Sequence, residues 1–368
     1  MRILSKLKDF GTKIIKLNYY LFIKYKTETN TTTAYAANLC RICLINSMPI
    51  KIAPNHIQKL ELNQVFVFGS NNEGRHGKGA ALHARRFGAI CGQSSGLQGS
   101  TYAIVTKDLN KGVRSIPLSQ IKSQIEQLCD LAQNTQDKQY LLTAIGTSNA
   151  GYKVQEITNL LPSYIPKNIW LPQCFAYKHL SKNIMTVMFT GNRIQSFESN
   201  AERESAYSHL DKLIQRAIKR AIEWGYEAIN FISGMALGID TAACKYVLAQ
   251  KCKNHSIKIL LTAAIPCLNQ DAKWRQSDKD KYKYLLYNCN FTQYVSNCNY
   301  SNAGGASCLD TRNKWMVSQL TGIHDMAISI HHGKAGGTQN CINDLSSAGK
   351  KTVIYNYRSN QYIRLGNW

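Results

Sequence analysis

The stretch Phe231–Ala243, FISGMALGIDTAA, decides the fold of the second half of the chain. Its apolar opening reads as a strand that ends at Ser233-Gly234, and Thr241 onward, TAACKYVLAQK, reads as a helix that starts at once. Gly238 keeps the turn between them tight, and Asp240 can cap the helix. Amides at such a helix start suit a phosphate, because their N–H groups point outward and lack intrahelical partners. Two more glycine-bearing loops succeed apolar runs in the same way. They are MFTGNR, with Thr190, Gly191 and Arg193, and SIHHGKAGGTQN, with Gly336, Gly337 and Thr338. In an open parallel sheet, loops at the carboxyl ends of strands gather over one crevice, so three of them in one block predict a shared binding site.

Working outward, strands fit residues 185–190, 228–233, 257–265, 292–295, 326–331 and 352–355. The clearest helix lies in SNAERESAYSHLDKLIQRAIKRAIEWGY, where Ser199 and Glu202 can form a capping box and Gly225 stops the helix. Before the hydrophilic junction AYKHLSKN an earlier block repeats the alternation, with strands at 65–68, 102–105, 140–144 and 168–171 and helices at 79–87, 119–134 and 154–161. Strands alternating with helices predict an α/β chain of two three-layer α/β/α domains. Their expected spans are 56–180 and 183–360, the latter Rossmann-like with a mostly parallel sheet, behind a basic, poorly ordered extension over 1–50.

The earlier block carries its own paired loops. VFVFGSNNEGRHGKGAA places Gly69, Gly74, Gly77 and Gly79 between a strand and a helix, and AIGTSNAGY succeeds a later strand. Glycines there allow tight turns and a close approach of backbone to an anion, although plain turns use them as well. His76 in the first loop can serve as a phosphate ligand or acid/base, or be an ordinary loop histidine. Asp108 can meet a ribose or cap a turn.

Two resemblances sharpen these readings. The loops VFVFGSNNEGRHGKGAA and AIGTSNAGY, with GLQGSTYAIVTKD between them, resemble the macro-domain-like family of bacterial and phage proteins. That resemblance implies an ADP-ribose cleft, with Gly69, Ser70, Asn71, Gly77 and Gly79 near the distal ribose. Gly146, Thr147, Ser148, Asn149, Ala150 and Gly151 would hold the diphosphate. EGRHGKG stands where typical members carry adjacent glycines. The second block resembles the SLOG superfamily, especially its YspA/YpsA-like branch, through FTGNR, FISGMALGIDTAA, AAIPC, TRNKWMV and GKAGGT in that order. Its relatives include DprA and the LOG phosphoribohydrolases.

The SLOG resemblance implies a nucleotide-type ligand held by Thr190, Gly191, Arg193, Ser233, Gly234, Met235, Gly238, Asp240, Arg312, Asn313, Gly336, Gly337 and Thr338. LOG hydrolases carry a glutamate three residues after the threonine of their glycine-rich loop, and cleavage of a ribose needs such a carboxylate beside the anomeric carbon. Here that position is Cys341. The resulting expectation is a sensor or sequestering protein for an NAD- or ADP-ribose-like molecule. The enzymatic alternative is a nucleotide or ADP-ribosyl glycosidase in which His76, Asp108 or Asp240 supplies the acid.

Composition sets outer bounds. Lys and Arg number 45 against 22 Asp and Glu, a net charge of +23. Residues 1–50 hold eight basic and two acidic side chains, +6, so +17 is spread over the body. A diffuse positive field attracts nucleotides, nucleic acid or an anionic membrane surface without choosing among them. It keeps open a DprA-like single-strand binder, for which Trp274, Tyr282 and Tyr284 among lysines could stack bases. Tyr284 and Leu285 fit equally a helix face lying on the sheet. An apolar fraction of 44% argues against wholesale disorder. The apolar run Leu17–Ile23 is too short to span a bilayer. Twelve cysteines with no even framework and no secretory signal point to a reduced, cytoplasmic setting. The lone pair Cys40-x-x-Cys43 lacks the partners of a zinc site, while Mg²⁺ with a diphosphate would leave no trace in sequence. Self-association stays open.

Overall fold

The computed structural model describes residues 49–177, 183–253 and 255–368. The basic N-terminal segment up to residue 48, with Cys40 and Cys43, and residues 178–182 of the junction lie outside the described residues. Met48–Lys251 and His255–Trp368 form one compact unit.

Its elements run β1 (Ile50–Ile52), β2 (Gln64–Asn71), α1 (Gly79–Ala84), β3 (Gly96–Gln98), β4 (Thr101–Lys107), α2 (Leu118–Asn134), β5 (Gln139–Leu142), α3 (Val154–Thr158), β6 (Ile169–Trp170) and α4 (Gln173–Ala176). A 3-10 turn, Arg85–Phe87, continues α1. The second block comprises β7 (Ile184–Gly191), α5 (Asn200–Glu223), β8 (Ala228–Ser233), α6 (Ile239–Lys251), β9 (Lys258–Ile265), α7 (Gln276–Asn288), β10 (Phe291–Tyr294), α8 (Ser307–Ser318), β11 (Met326–His331), α9 (Gly337–Ser347), β12 (Lys351–Asn356) and β13 (Gln361–Leu365).

The second block builds an eight-stranded sheet in the order β1-β10-β9-β8-β7-β11-β12-β13, parallel except for β13. Both faces are covered, which is why β7 to β9 and β11 are nearly continuous apolar runs. Val187, Phe189, Phe231 and Ile328 pack with Leu210, Ile214 and Ala217 of α5 and with α6. Met188, Ile232, Ala264 and Ala327 point the other way, onto Met316 and Val317 of α8 and Leu345 of α9. Ser199 caps α5 by accepting the Glu202 amide at 3.1 Å. The Glu202 carboxylate accepts the amide of Glu198 at 2.7 Å, one residue earlier than a standard capping box. Gly225, at φ 73°, ends the helix as expected.

The first block forms a five-stranded sheet, β3-β4-β2-β5-β6, with β3 antiparallel. Val65, Val67 and Ile104 face Ile121, Ile125 and Leu128 of α2. Phe66, Phe68 and Leu141 face Ala81 and Ala84 of α1. The α/β class and mostly parallel sheets therefore stand as expected.

What differs is the join. β1, which starts at the last residue of the segment expected as an extension, pairs in parallel with β10 through Ile50 and Phe291. On its other side Ile52 bridges Leu171 just after β6, where the Leu171 amide donates to Lys51 O at 2.9 Å and the Ala53 amide to Leu171 O at 2.9 Å. Three residues thus join two sheets edge to edge. Trp170 of β6 stacks on Tyr294 of β10 at 4.1 Å. Gln64 and Asn297 exchange amide hydrogen bonds across the same seam: Gln64 Nε2 donates to Asn297 O and Asn297 Nδ2 to Gln64 Oε1, each at 2.7 Å. A three-residue strand carries too little periodicity to be read from sequence, and its partners lie over a hundred residues away.

The aromatic residues of the basic segment also find a place. Tyr282 is buried, and Trp274 meets it edge-on at 5.2 Å. Tyr282 joins the core of the large sheet, with Trp274 and Tyr284, both half-buried, packed against it.

Because Ile52 is fully buried in the seam, Ile52→Ala should cost about 2–5 kcal/mol. Tryptophan fluorescence and far-UV circular dichroism should report one coincident guanidinium transition, whereas two separate transitions would show that the sheets unfold independently.

Candidate functional site

In the large sheet the chain builds outward from β7 in one direction through β8, β9 and β10, then crosses to β11 on the other side. Strand order reverses between β7 and β11, and the loops leaving their carboxyl ends open a crevice there. His332 ties the two sides, its amide donating to Asn192 Oδ1 at 3.0 Å.

Glycines allow the close packing of this floor. A Cβ at Gly191 would fall 2.5 Å from the Ile239 side chain, so only glycine lets α6 begin against the end of β7. Gly238 sits at φ 123°, where a Cβ would meet Asn192 O at 2.4 Å. There the Ile239 amide donates to Asn192 O at 3.1 Å. Met235 is a buried non-glycine residue at φ 57°, a conformation that costs roughly 1–3 kcal/mol and clusters at functional sites. It is held by its amide on Ser233 Oγ at 3.1 Å and by the Cys244 thiol on its sulfur at 3.2 Å.

Behind Gly234 lies a buried charged pair. Arg312 of α8 donates from Nη1 to Gly234 O and from Nε to Asn313 Oδ1 at 3.0 Å. A Cβ at Gly234 would lie 2.3 Å from Arg312 Nη1 and 2.8 Å from Asp240 Oδ2, so both charges flank a backbone without side chain. The Asp240 carboxylate accepts the Ala236 amide at 3.4 Å. Burial pushes its carboxyl up to about 6, against the opposing pull of Arg312, that amide and Arg193. One of the five guanidinium donors of Arg312 thereby holds the loop and another bonds Asn313 of its own helix.

Cys341, on α9, is buried and faces the same place, with the Thr190 side chain bonded to it and Arg312 and Asp240 nearby. Burial raises its thiol to about 11, so it is neutral where a hydrolase would hold a carboxylate. Asp344, three residues on, acts on both Cys341 and Lys314 of α8, with its Oδ2 buried and unbonded.

The rim is the third loop. His331 accepts the Gly333 amide on Nδ1 at 3.0 Å and donates from Nε2 to Lys334 O at 3.0 Å. Burial holds it below its ordinary value, which suits the neutral tautomer that this pair of bonds requires. Gly336 takes φ 145°, ψ −175°, a region open only to glycine, and is the N-cap of α9. Gly337 is exposed, with nothing within 4 Å of an added Cβ. Among the described residues the amides of Gly337, Thr338 and Gln339 meet no protein acceptor, as at any helix start. Thr190, Gly191, Arg193, Ser233–Met235, Gly238 and Asp240 thus lie at the carboxyl ends of β7 and β8, Arg312 and Asn313 on α8 with Arg312 reaching Gly234 O, and Gly336–Thr338 at the start of α9 after β11.

In the smaller sheet the agreement is partial. The two loops do face each other: a Cβ on Gly69 would lie 3.5 Å from the Gly146 amide, and one on Gly79 would lie 3.9 Å from Asn149 Nδ2. Gly77, Ser148 and Asn149 are exposed, and Ser70 is buried. Asn71 is spent on its own loop, its Oδ1 accepting the Glu73 and Arg75 amides while Nδ2 donates to Arg75 O at 2.7 Å. Thr147 likewise bonds back to Ala144 O at 2.8 Å. Gly151, at φ 79°, serves a turn packed against Val113.

Two acid/base candidates are overturned. His76 is 1% exposed, lies edge-on to Phe68 at 5.1 Å and bonds through neither ring nitrogen, so it cannot reach a ligand in solvent. Asp108 accepts Asn72 Nδ2 at 2.9 Å and the Asn110 amide at 3.0 Å, capping a turn beside Lys111. Sequence reading also missed a cavity of about 970 Å³ beside α1, because its walls come from five separated stretches of chain.

The family described as the YspA SLOG family matches residues 187–351. Over 121 residues the chain is 30% identical to the "Uncharacterized SPbeta prophage-derived protein YoqJ" of Bacillus subtilis (strain 168), across 31% of this chain and 67% of that protein. It is 29% identical over 119 residues to a UPF0398 protein of Staphylococcus saprophyticus, across 32% of this chain and 60% of the relative. A UPF0398 protein of Brevibacillus brevis is 28% identical over 122 residues, across 33% and 61%. The chain thus spans about two thirds or less of the length of each of these relatives. Among the described residues no helix is long and apolar enough to cross a membrane.

A carboxyl whose folded value is raised to about 6, from 3.8, contributes most to stability below pH 4 and loses that contribution as pH climbs through 6. Asp240→Asn removes the effect, so between pH 4 and pH 7 the variant should gain on the parent chain by roughly 2–3 kcal/mol. Guanidinium denaturation at the two pH values measures this, and parallel pH dependences would show that Asp240 is not held as described.

Proposed function

The chain belongs to the YspA SLOG family through residues 187–351, and from that membership we propose that the β7/β11 crevice binds a nucleotide or nucleotide-derived molecule of the NAD or ADP-ribose type. The observation that carries this reading is the open start of α9. Three unpartnered amides at Gly337–Gln339 converge with Thr190 and the buried Arg312 on one reversal of strand order. Backbone amides, a guanidinium and a hydroxyl are the donors that phosphate oxygens require. The facing of Gly69 on Gly146 and of Gly79 on Asn149 supports a second, macro-like nucleotide cleft on the smaller sheet.

Sensing or sequestration is favoured over cleavage by Cys341, whose neutral thiol offers no charge to an oxocarbenium-like centre. Asp240 is the one observation favouring a glycosidase, since a carboxyl near 6 can move a proton at neutral pH. Product analysis with ADP-ribose and NAD, in the parent chain and in Asp240→Asn, separates the two readings. Free base or ribose phosphate from the parent alone would establish the hydrolase.

Gly337→Glu places a carboxylate at the helix start, and the open space around Gly337 leaves the fold intact. Isothermal titration with ADP-ribose and NAD should show binding to the parent that weakens at least about tenfold in this variant. Equal affinities, or no binding of either, would overturn the crevice reading.

A further inference from the structure

The cavity of about 970 Å³ beside α1 lies outside the crevice described above. It is walled by Pro54–Gln58, by the α1 face from Gly79 to Arg86, by Leu142–Ala144 at the end of β5, and by Pro172–Tyr177 around α4. It shares Gly79 and Ala144 with the region of the facing glycine loops, but its other walls belong to neither loop. Its size lies in the range of small-molecule sites, which run to about 1,000 Å³.

Its chemistry is one-sided. None of the described lining residues is acidic, while His56, His83 and Arg86 all line it. These three sit at one end. His83 is three residues before Arg86 and therefore shares its helical face. His83 Nε2 lies 2.6 Å from Ile57 O, a group that can only accept, so Nε2 donates there and Nδ1 is left as an acceptor for a ligand N–H or O–H. His56 precedes Ile57 directly. Arg86 is exposed and, among the described residues, has no ion-pair or hydrogen-bond partner. Elsewhere the lining turns apolar and planar, with Phe66, Leu142, Pro172 and Tyr177. The Phe66 ring meets the His83 ring edge-on at 5.7 Å, which fixes the imidazole at the boundary between the two halves.

We propose that this cavity is a further ligand site, one that takes a planar organic anion of nucleoside-monophosphate size. Arg86 and His56 receive the anionic group, His83 Nδ1 accepts from a ligand N–H or O–H, and the ring lies among Phe66, Leu142 and Tyr177. The guanidinium attracts an anion by charge, and the apolar lining gains by removing a ring from water. The inference does not depend on the crevice, since no element of the crevice lines the cavity.

AMP is the probe, with adenosine and inorganic phosphate separating ring from anion, and the full chain carrying Gly337→Glu keeps the crevice blocked. In that background AMP should bind, adenosine and phosphate should each bind at least about tenfold more weakly, and Arg86→Glu should raise the AMP Kd about tenfold or more. Cys174 is exposed on the cavity wall, so saturating AMP should slow its alkylation by iodoacetamide and leave that of exposed Cys91 unchanged. Undiminished AMP affinity in Arg86→Glu, or no AMP binding and no protection of Cys174 in the Gly337→Glu chain, overturns the proposal. Binding to the parent that Gly337→Glu leaves wholly intact sinks the crevice reading alone, so the two can fail separately.

Discussion

Parallel pairing of Ile50–Ile52 with β10 on one side and its bridge to Leu171 on the other is the contact on which the remaining architecture rests. Each sheet would otherwise end in an edge of unpaired amides and carbonyls, β6 in one and β10 in the other, a state that sheets rarely leave uncovered. With β1 in place, Trp170 and Tyr294 can stack, and Gln64 and Asn297 can satisfy each other in a buried setting. The cavity beside α1 is a consequence, because Pro54–Gln58, the continuation of β1, forms one of its walls.

In the crevice the governing constraint is space behind backbone rather than reactive side chains. Gly234, Gly191 and Gly238 each stand where a Cβ would collide with a charged group, with a helix start or with a carbonyl. That closeness lets Arg312 and Asp240 sit under the loop and lets Met235 be held in a left-handed conformation. The pair is unequal: Arg312 is anchored by two hydrogen bonds, while burial lifts the Asp240 carboxyl to about 6. A site built this way is shaped to receive charge from a ligand. Cys341, neutral and buried at its back, adds none.

The net charge of +23 looks at first like a nucleic-acid signal. Of the aromatic residues that would stack bases, Tyr282 is buried in the core and Trp274 and Tyr284 are packed against it. What remains is a positive field around the two sites proposed above, one with open helix amides and one with Arg86, unpaired among the described residues. Composition expresses attraction to anions in general; local geometry narrows it to ligands that fit.

The strands β7, β8, β9 and β11, the long helix α5 with its Ser199 cap and Gly225 stop, and the glycine loops over the crevice were legible in the sequence. Each is written in local terms, as a run of apolar residues, a capping side chain or a residue that alone tolerates a positive φ. His76 and Asp108 were legible only as residue types. Whether an imidazole is sealed against Phe68, or a carboxylate is taken up by Asn72 and Asn110, depends on neighbours brought in by folding. The seam at β1 and the cavity beside α1 were decided by tertiary structure alone. Their parts lie far apart along the chain, and hydrogen bonding between strands and the charge of a pocket are properties of what meets in space.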